Sequence, residues 1–531
     1  MRCLTCLLLL HAFATSALAN PVPGDLPDAE APQSADNTPA ADADSDNPGD
    51  ALPESDDDGA PTSDIPGDET EITAPDDDAT EPADDTEPSE APEPTTLPLP
   101  EPEPLKDDVL TGPEGTKGKV KLIEELTFEQ WPGLPPAASK IYFTDRRWAI
   151  SGYGELSYNH FLGEKNRATG DLELYNTNLY RFVVYGAVRA TDWLVLYAEV
   201  FAEVLHDGNR EVAFDALPEI FADFLITRGF NIRAGWAQIP IGYINNNDEP
   251  TEYHSVNRPE VERVIIPSQW IELGLQFYGK IGDKASWMVH GFQGSDGRAM
   301  LGASWVRGGR HPKFDYFAPG VAAQFNVNPI EHLELSVSTL FMETGTRRLV
   351  STTGGLERVR SPTSLHSAYV RYEEGDFSLL ALGTFGTMGQ TDLMFHLTDQ
   401  LSPGPAQLFG RQVYGAYAEL GWDILPLIRG RSARSGGSFF HRASEMKLPL
   451  FFRYERLDTH ASLAPDVAAR VNEGVPLFRN NLDVFTLGMN FKTRRNIVFK
   501  ANYQFRYNRA SNGEAVVPEG DRFEVGFGFL F

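Results

Sequence analysis

The sequence predicts an all-β fold: a transmembrane antiparallel β-barrel of about 16 strands, with 18 as the alternative, preceded by a disordered acidic N-terminal tail. Three observations predict it. Polar and apolar residues alternate in segments of about 10–14 residues, a length suited to a tilted membrane crossing. Long charged residues occupy the middle of the polar faces, and aromatics lie toward the strand ends of the greasy faces. The last segment, Arg522–Phe531, is apolar at every odd position and ends on an aromatic.

Taken in order, residues 1–19 have the layout of a secretory signal peptide. One positive charge (Arg2) precedes an apolar stretch, and Ala17-Leu18-Ala19 offers a small-x-small cleavage site before Asn20. Both cysteines of the chain, Cys3 and Cys6, fall here, so the mature chain is expected to rely on neither disulfides nor a cysteine metal site. Residues 20–110 carry 29 acids against one base, Lys106, hold 18 of the 38 prolines and contain no aromatic residue. Such a segment repels itself and has little to bury, so a disordered Pro-rich tail is expected, periplasmic by the strand count. It reads as a solvated tether, or as a sponge for divalent cations densest at Asp56–Asp58 and Asp76–Asp78. Residues 111–145 form a transition in which 119–131 fit either a short helix or a strand.

From Arg146 to Phe531 the barrel pattern takes over. Sixteen segments centre near Gly152, Phe182, Ala198, Ala222, Gly235, Leu275, Val289, Ala323, Ser336, Ala368, Ala381, Ala416, Phe451, Leu487, Tyr503 and Phe527. Short turns alternate with long loops, which places both termini at the short-turn side, the periplasm. Residues 424–444 break the rule, so either a strand is miscounted there or that turn carries an insertion. A closed sheet satisfies every backbone group in hydrocarbon, and sixteen strands leave a bore too wide for side chains to fill.

The face opposite the apolar one supplies the expected lumen lining. Its acids are Glu155, Glu199, Glu203, Glu219, Asp223, Glu272, Glu334, Glu419, Glu455 and Glu524. Its bases are Arg181, Arg233, Arg371, Lys447, Arg453, Lys500, Arg506 and Arg522. Acids prevail on the first strands and bases on the last. These charges either set up a transverse field or pair across neighbouring strands. The loop at 241–268 holds Val256, Val261, Val264, Ile265 and Ile266, odd choices for a free external loop. Folded inward, it would narrow the channel with Asp248, Glu249, Glu252, Arg258, Glu260, Glu262 and Arg263; the alternative is a surface or trimer-contact loop.

Gly152-Tyr153-Gly154-Glu155-Leu156, Ala234-Gly235-Trp236, Pro240-Ile241-Gly242, Asn247-Asp248-Glu249-Pro250, Arg258-Pro259-Glu260-Val261-Glu262-Arg263, Ile266-Pro267, Trp270 and Glu272-Leu273-Gly274 resemble the phosphate-selective porin O and P family of bacterial outer membranes. The resemblance implies a sixteen-stranded, homotrimeric diffusion channel with an inward third loop. No lysine-and-arginine ladder for anions accompanies it. The sequence holds no G-x-S-x-G, H-E-x-x-H or phosphate-loop signature, so no enzyme, cofactor or metal is expected. With no basic surface, nucleic acid is not an expected partner; the expected partners are outer-membrane lipid and small hydrophilic solutes or ions. A structural barrel, a tether or adhesin acting through its tail or loops, is the competing function, with a rim hydrolase a more distant one.

Overall fold

The computed structural model describes residues 128–161, 178–206, 212–215, 218–310, 316–402, 404–432, 446–510 and 520–531. The leader, the acidic tail and 111–127 of the transition segment lie outside the described residues, as do the loop residues 162–177 and 511–519.

Sixteen wall strands follow in chain order: β1 (Trp148–Phe161), β2 (Asn178–Thr191), β3 (Leu194–His206), β4 (Pro218–Thr227), β5 (Phe230–Gln238), β6 (Ile271–Ile281), β7 (Ala285–Gln293) and β8 (Pro319–Ile330). The second half comprises β9 (Leu333–Glu343), β10 (Pro362–Glu374), β11 (Phe377–Met388), β12 (Gln412–Asp423), β13 (Pro449–Ser462), β14 (Asn481–Arg494), β15 (Ile497–Asn508) and β16 (Arg522–Leu530). Each pairs antiparallel with its neighbours in sequence, and β1 closes the ring on β16 with Tyr153 opposite Leu530. A short strand, Val212–Asp215, adds to β3 ahead of β4. All sixteen expected centres fall inside these strands, so the alternative of 18 is discarded. The turn at 424–444 is an insertion: helix α3 (Leu425–Ser432) occupies its start, and 433–445 lie outside the described residues. The loops hold α1 (Glu260–Val264), α2 (Thr391–Leu401) and α4 (Pro465–Asn472).

Alternation becomes two-sidedness directly. On β1, Trp148, Ile150, Leu156 and Tyr158 are exposed outward, while Ala149, Ser151, Tyr153, Glu155 and Ser157 are buried inward. Gly152 and Gly154 interrupt the outward row, and the C-terminal aromatics cover them. A Cβ at Gly152 would stand 2.7 Å from the Phe531 ring, and one at Gly154 would stand 2.4 Å from that of Phe529. Phe531 also stacks on Phe182 at 5.7 Å. The seam is locked by paired backbone bonds, Gly152 N–H to Phe531 C=O at 3.1 Å and the reverse at 2.9 Å. Such an apolar exterior is stable in hydrocarbon; in water each exposed Leu, Val or Phe would forgo about 1.5–3 kcal/mol of burial.

The inside is not uniformly polar. One apolar cluster at the long-loop end joins the β5–β6 loop to the β7–β8 loop and α2, with Ile265, Trp270, Trp305 and Met394 buried in it. A second lies against the inner faces of β1–β4, where Leu134, Ala137, Ala138 and Ile141 pack on Tyr153, Tyr185, Tyr197 and Phe221.

Candidate functional site

The β5–β6 loop, 239–270, runs through the interior. It leaves β5 through Pro240-Ile241-Gly242, and Gly242 adopts φ +71°, a conformation that side chains resist. A Cβ there would also sit 2.6 Å from Glu262 Oε2. With that space free, the Glu262 carboxylate accepts the Tyr243 and Ile244 N–H groups, each at 2.8 Å, and the Tyr417 hydroxyl of β12 at 2.6 Å. The five apolar loop residues singled out in the sequence, Val256, Val261, Val264, Ile265 and Ile266, are all buried.

Polar anchors then fix the loop to most of the wall. Tyr253 donates to Glu155 of β1 (2.9 Å), and Asn246 to Gln324 of β8 (2.6 Å). Lys500 of β15 donates to the Tyr253 and Ser255 carbonyls, both at 2.9 Å. The His254 ring stacks on Phe451 of β13, with Nε2 at 2.9 Å from the Ser378 hydroxyl and Nδ1 accepting from Asn490 at 3.1 Å. Nε2 therefore carries the ring proton, and burial pushes the imidazole down to about 4.

The seven loop residues expected at the constriction play different parts. Glu260 is a hub: Arg263 (2.9 Å), Arg506 (2.8 Å) and Arg522 (3.4 Å) all reach its Oε1. Burial alone would raise this carboxyl, but the three guanidiniums outweigh it and hold it well below the usual carboxylate range. Asp248 accepts from Gln269 (3.2 Å) and Tyr153 (3.3 Å) and lies 3.9 Å from Arg258. Glu249 accepts from the Ala137 N–H (2.9 Å) and Ala138 N–H (3.3 Å). Its carboxyl is raised well above the ordinary value by burial, then by Glu252 and Asp248. Burial pushes Glu262 up to about 7, against the pull of its hydrogen-bond donors. Glu252 alone of the five acids is only half-buried.

Glu262 gives a pH-dependent expectation. Its folded value near 7 exceeds the reference 4.5, so proton uptake favours the docked loop. That contribution is fully present below about pH 4.5 and is lost as pH rises through about 7, on the order of 3 kcal/mol in all. Glu262→Gln keeps the acceptor for both N–H groups and turns the other atom into a donor toward Tyr417. Thermal unfolding should therefore match wild type near pH 4.5 and favour the variant increasingly up to pH 7.5. Parallel pH profiles would refute the role given to Glu262.

On the wall, most of the expected lumen charges pair between neighbours. Arg181 lies 3.5 Å from Glu155, Arg233 3.1 Å from Asp223, and Arg522 3.5 Å from Glu524. Arg453 bridges Glu419 (3.0 Å) and Glu455 (2.7 Å). Glu272 accepts from the Trp270 indole at 2.8 Å. Glu199 and Glu219 face each other in register on β3 and β4, both buried. Glu203 stands opposite Arg181 in the β2–β3 register, and its side chain lies outside the described residues. Lys447 is exposed ahead of β13, bridged to Lys492 rather than set inside a wall strand. Among the expected lumen charges set inside wall strands, Glu334 and Arg371 stay partly accessible, on β9 and β10. There Arg371 lies 3.9 Å from Glu334 and 2.7 Å from Glu373, with side-chain exposures of 28 %, 22 % and 57 %. Of the histidines on the wall strands, His290 is buried inward, and His366 points outward beside Phe341.

Sequence reading missed residues 128–143. Trp131 donates its indole N–H to Tyr278 of β6 (2.9 Å), Tyr142 donates to Asp223 of β4 (2.5 Å), and a short 3-10 helix spans Ala138–Phe143. A signal was present. Phe182-Val183-Val184-Tyr185 and Leu194-Val195-Leu196-Tyr197 are apolar on both faces, which means that something covers β2 and β3 from within.

No family model matches the chain. An uncharacterised protein of Aquifex aeolicus (strain VF5) is 24% identical over 400 residues, 73% of this chain and 82% of that one. Among solved structures, Salmonella typhi OmpF in complex with daunomycin is 11% identical, covering 72% of this chain and 97% of its own, with TM-score 0.44. Pseudomonas putida OprB at high pH is 10% identical, covering 76% and 100%, with TM-score 0.44. An anion-selective porin from Comamonas acidovorans is 11% identical, covering 72% and 99%, with TM-score 0.40.

Proposed function

We propose that the chain is an outer-membrane porin, a passive diffusion channel for small hydrophilic or ionic solutes, narrowed by the inward-folded β5–β6 loop. One observation carries the reading: a closed ring of sixteen strands with an apolar skin and a charged inner face, crossed by a loop anchored to opposite sides of that face. A ring of that width holds water unless it is filled. The partly accessible charges Glu334, Arg371 and Glu373 support a path for water and solute along β9 and β10. Glu252 of the loop lies within electrostatic reach of Arg371 and Lys492, so a passing ion meets both signs there. The proposal includes a homotrimer embedded in outer-membrane lipid, a cleaved leader, and the acidic tail on the periplasmic side. Phosphate preference is not part of it, because the basic residues of the lumen are largely committed to carboxylates.

Purified protein in planar bilayers should give stepwise conductance, and a flat trace would remove the channel reading. Glu252→Lys should shift the reversal potential in a salt gradient toward anions, since it reverses the sign of the one half-buried loop acid. An unchanged potential would take Glu252 off the ion path.

A further inference from the structure

The interior holds a second inserted element besides the loop. Residues 128–143 enter the short-turn end of the barrel ahead of β1. Phe128 lies under the Arg495 guanidinium, 5.2 Å from ring centroid to charge, at the β14–β15 turn. Three residues later, Trp131 is bonded to Tyr278 of β6 and stacks on Tyr142 at 4.5 Å. By strand order β6 lies nearly opposite that turn, so the stretch Phe128–Trp131 bridges the bore.

Beyond it the chain turns at Pro132-Gly133, where Gly133 has φ +76° and a Cβ would come within 2.9 Å of Met288 Sδ. It then lies along the inner wall. Ser151 donates to the Ala137 carbonyl (2.5 Å) and Arg189 to that of Ile141 (2.9 Å). The segment also grips the loop: Glu249 accepts two of its N–H groups, and Gln130 donates to Asn247 at 2.6 Å. The wall charges behind it (Glu155, Arg181, Glu199, Glu219, Asp223 and Arg233) are at most 5% exposed.

We propose that residues 128–143 form an internal plug, latched to the β5–β6 loop through Glu249, which closes the β1–β6 half of the bore and confines passage to the β9–β10 side. This rests on the channel reading above and adds a second element that sets the size limit. The energetics favour a latch over a permanent wall. The segment is held by hydrogen bonds and one apolar patch and belongs to no sheet, so it can leave without breaking the strand ladder. Glu249 is the point where plug and loop hold each other. Removing its carboxylate takes away two hydrogen bonds from plug to loop and leaves the wall intact.

The test uses the full chain in planar bilayers, compared with Glu249→Ala and with a variant lacking 128–143. Both should raise single-channel conductance, the deletion by about twofold or more, and both should admit larger uncharged polymers. In parallel, Ala138→Cys is treated with a membrane-impermeant maleimide, with labelling read at that position by mass spectrometry. Ala138 is buried, so labelling should be slow in the full chain and about tenfold or more faster once Glu249→Ala is added. Steps of unchanged size in both variants, or rapid labelling of Ala138→Cys in the full chain, would overturn the plug while leaving the channel reading in place. Silence from all three proteins would remove the channel reading and the plug together.

Discussion

Replacing Glu260 by alanine is expected to have the largest effect of any single change in the interior, on stability and on ion preference alike. Its Oε1 is the meeting point of Arg263, Arg506 and Arg522, which come from the loop and from the last two strands. All four groups are buried, and removing one partner of a buried ion network typically costs about 3–5 kcal/mol because the opposite charge stays behind. Here one lost carboxylate leaves three guanidiniums to rearrange, with Glu524 alongside Arg522. The unfolding temperature should fall, and the reversal potential should move strongly toward anions because the interior gains a net positive charge. Glu260→Gln should show the same sign with a smaller loss of stability, since an amide oxygen still accepts a hydrogen bond. An unchanged unfolding temperature would show that the hub carries no load, and an unchanged potential would place it away from the ion path.

The second large effect concerns the skin. Leu487 sits at the middle of β14, and its side chain faces outward with 51% exposure. Arginine there would lie in the centre of the hydrocarbon, at a cost of about 2–4 kcal/mol. Tyr507, equally exposed but at the loop end of β15, lies at the interface, where the same substitution costs about 0–1 kcal/mol. Folding into liposomes, followed by reversible denaturation, measures both. Equal costs at the two positions would contradict the assigned membrane band. Thr486, next to Leu487, is fully buried on the opposite face and controls for a merely local defect.

What was legible follows from physics that acts between close neighbours in sequence. Alternation is a local property, so the strand count and the outward face of Leu487 could be read directly. The inward course of the β5–β6 loop was legible because Val261, Ile265 and Ile266 would be costly in water. Pairing was not legible. That Arg453 meets Glu419 depends on the β12–β13 register, and that Glu260 meets Arg522 depends on a contact across 262 residues. The segment 128–143 was missed for a related reason. It is short and irregular, and what buries it is the wall, so only the doubly apolar faces of β2 and β3 pointed to it.

The seam between β1 and β16 has a further consequence for biogenesis. Tyr153 and Leu530 are partners 377 positions apart, so the ring stays an open ribbon until the final strand arrives. Until then two edges present unsatisfied N–H and C=O groups, the arrangement most prone to sticking to other chains. The entropy of drawing distant ends together must also be met before the joint rewards it. Maturation of this polypeptide therefore leaves both edges open until the seam between the first and last strands forms.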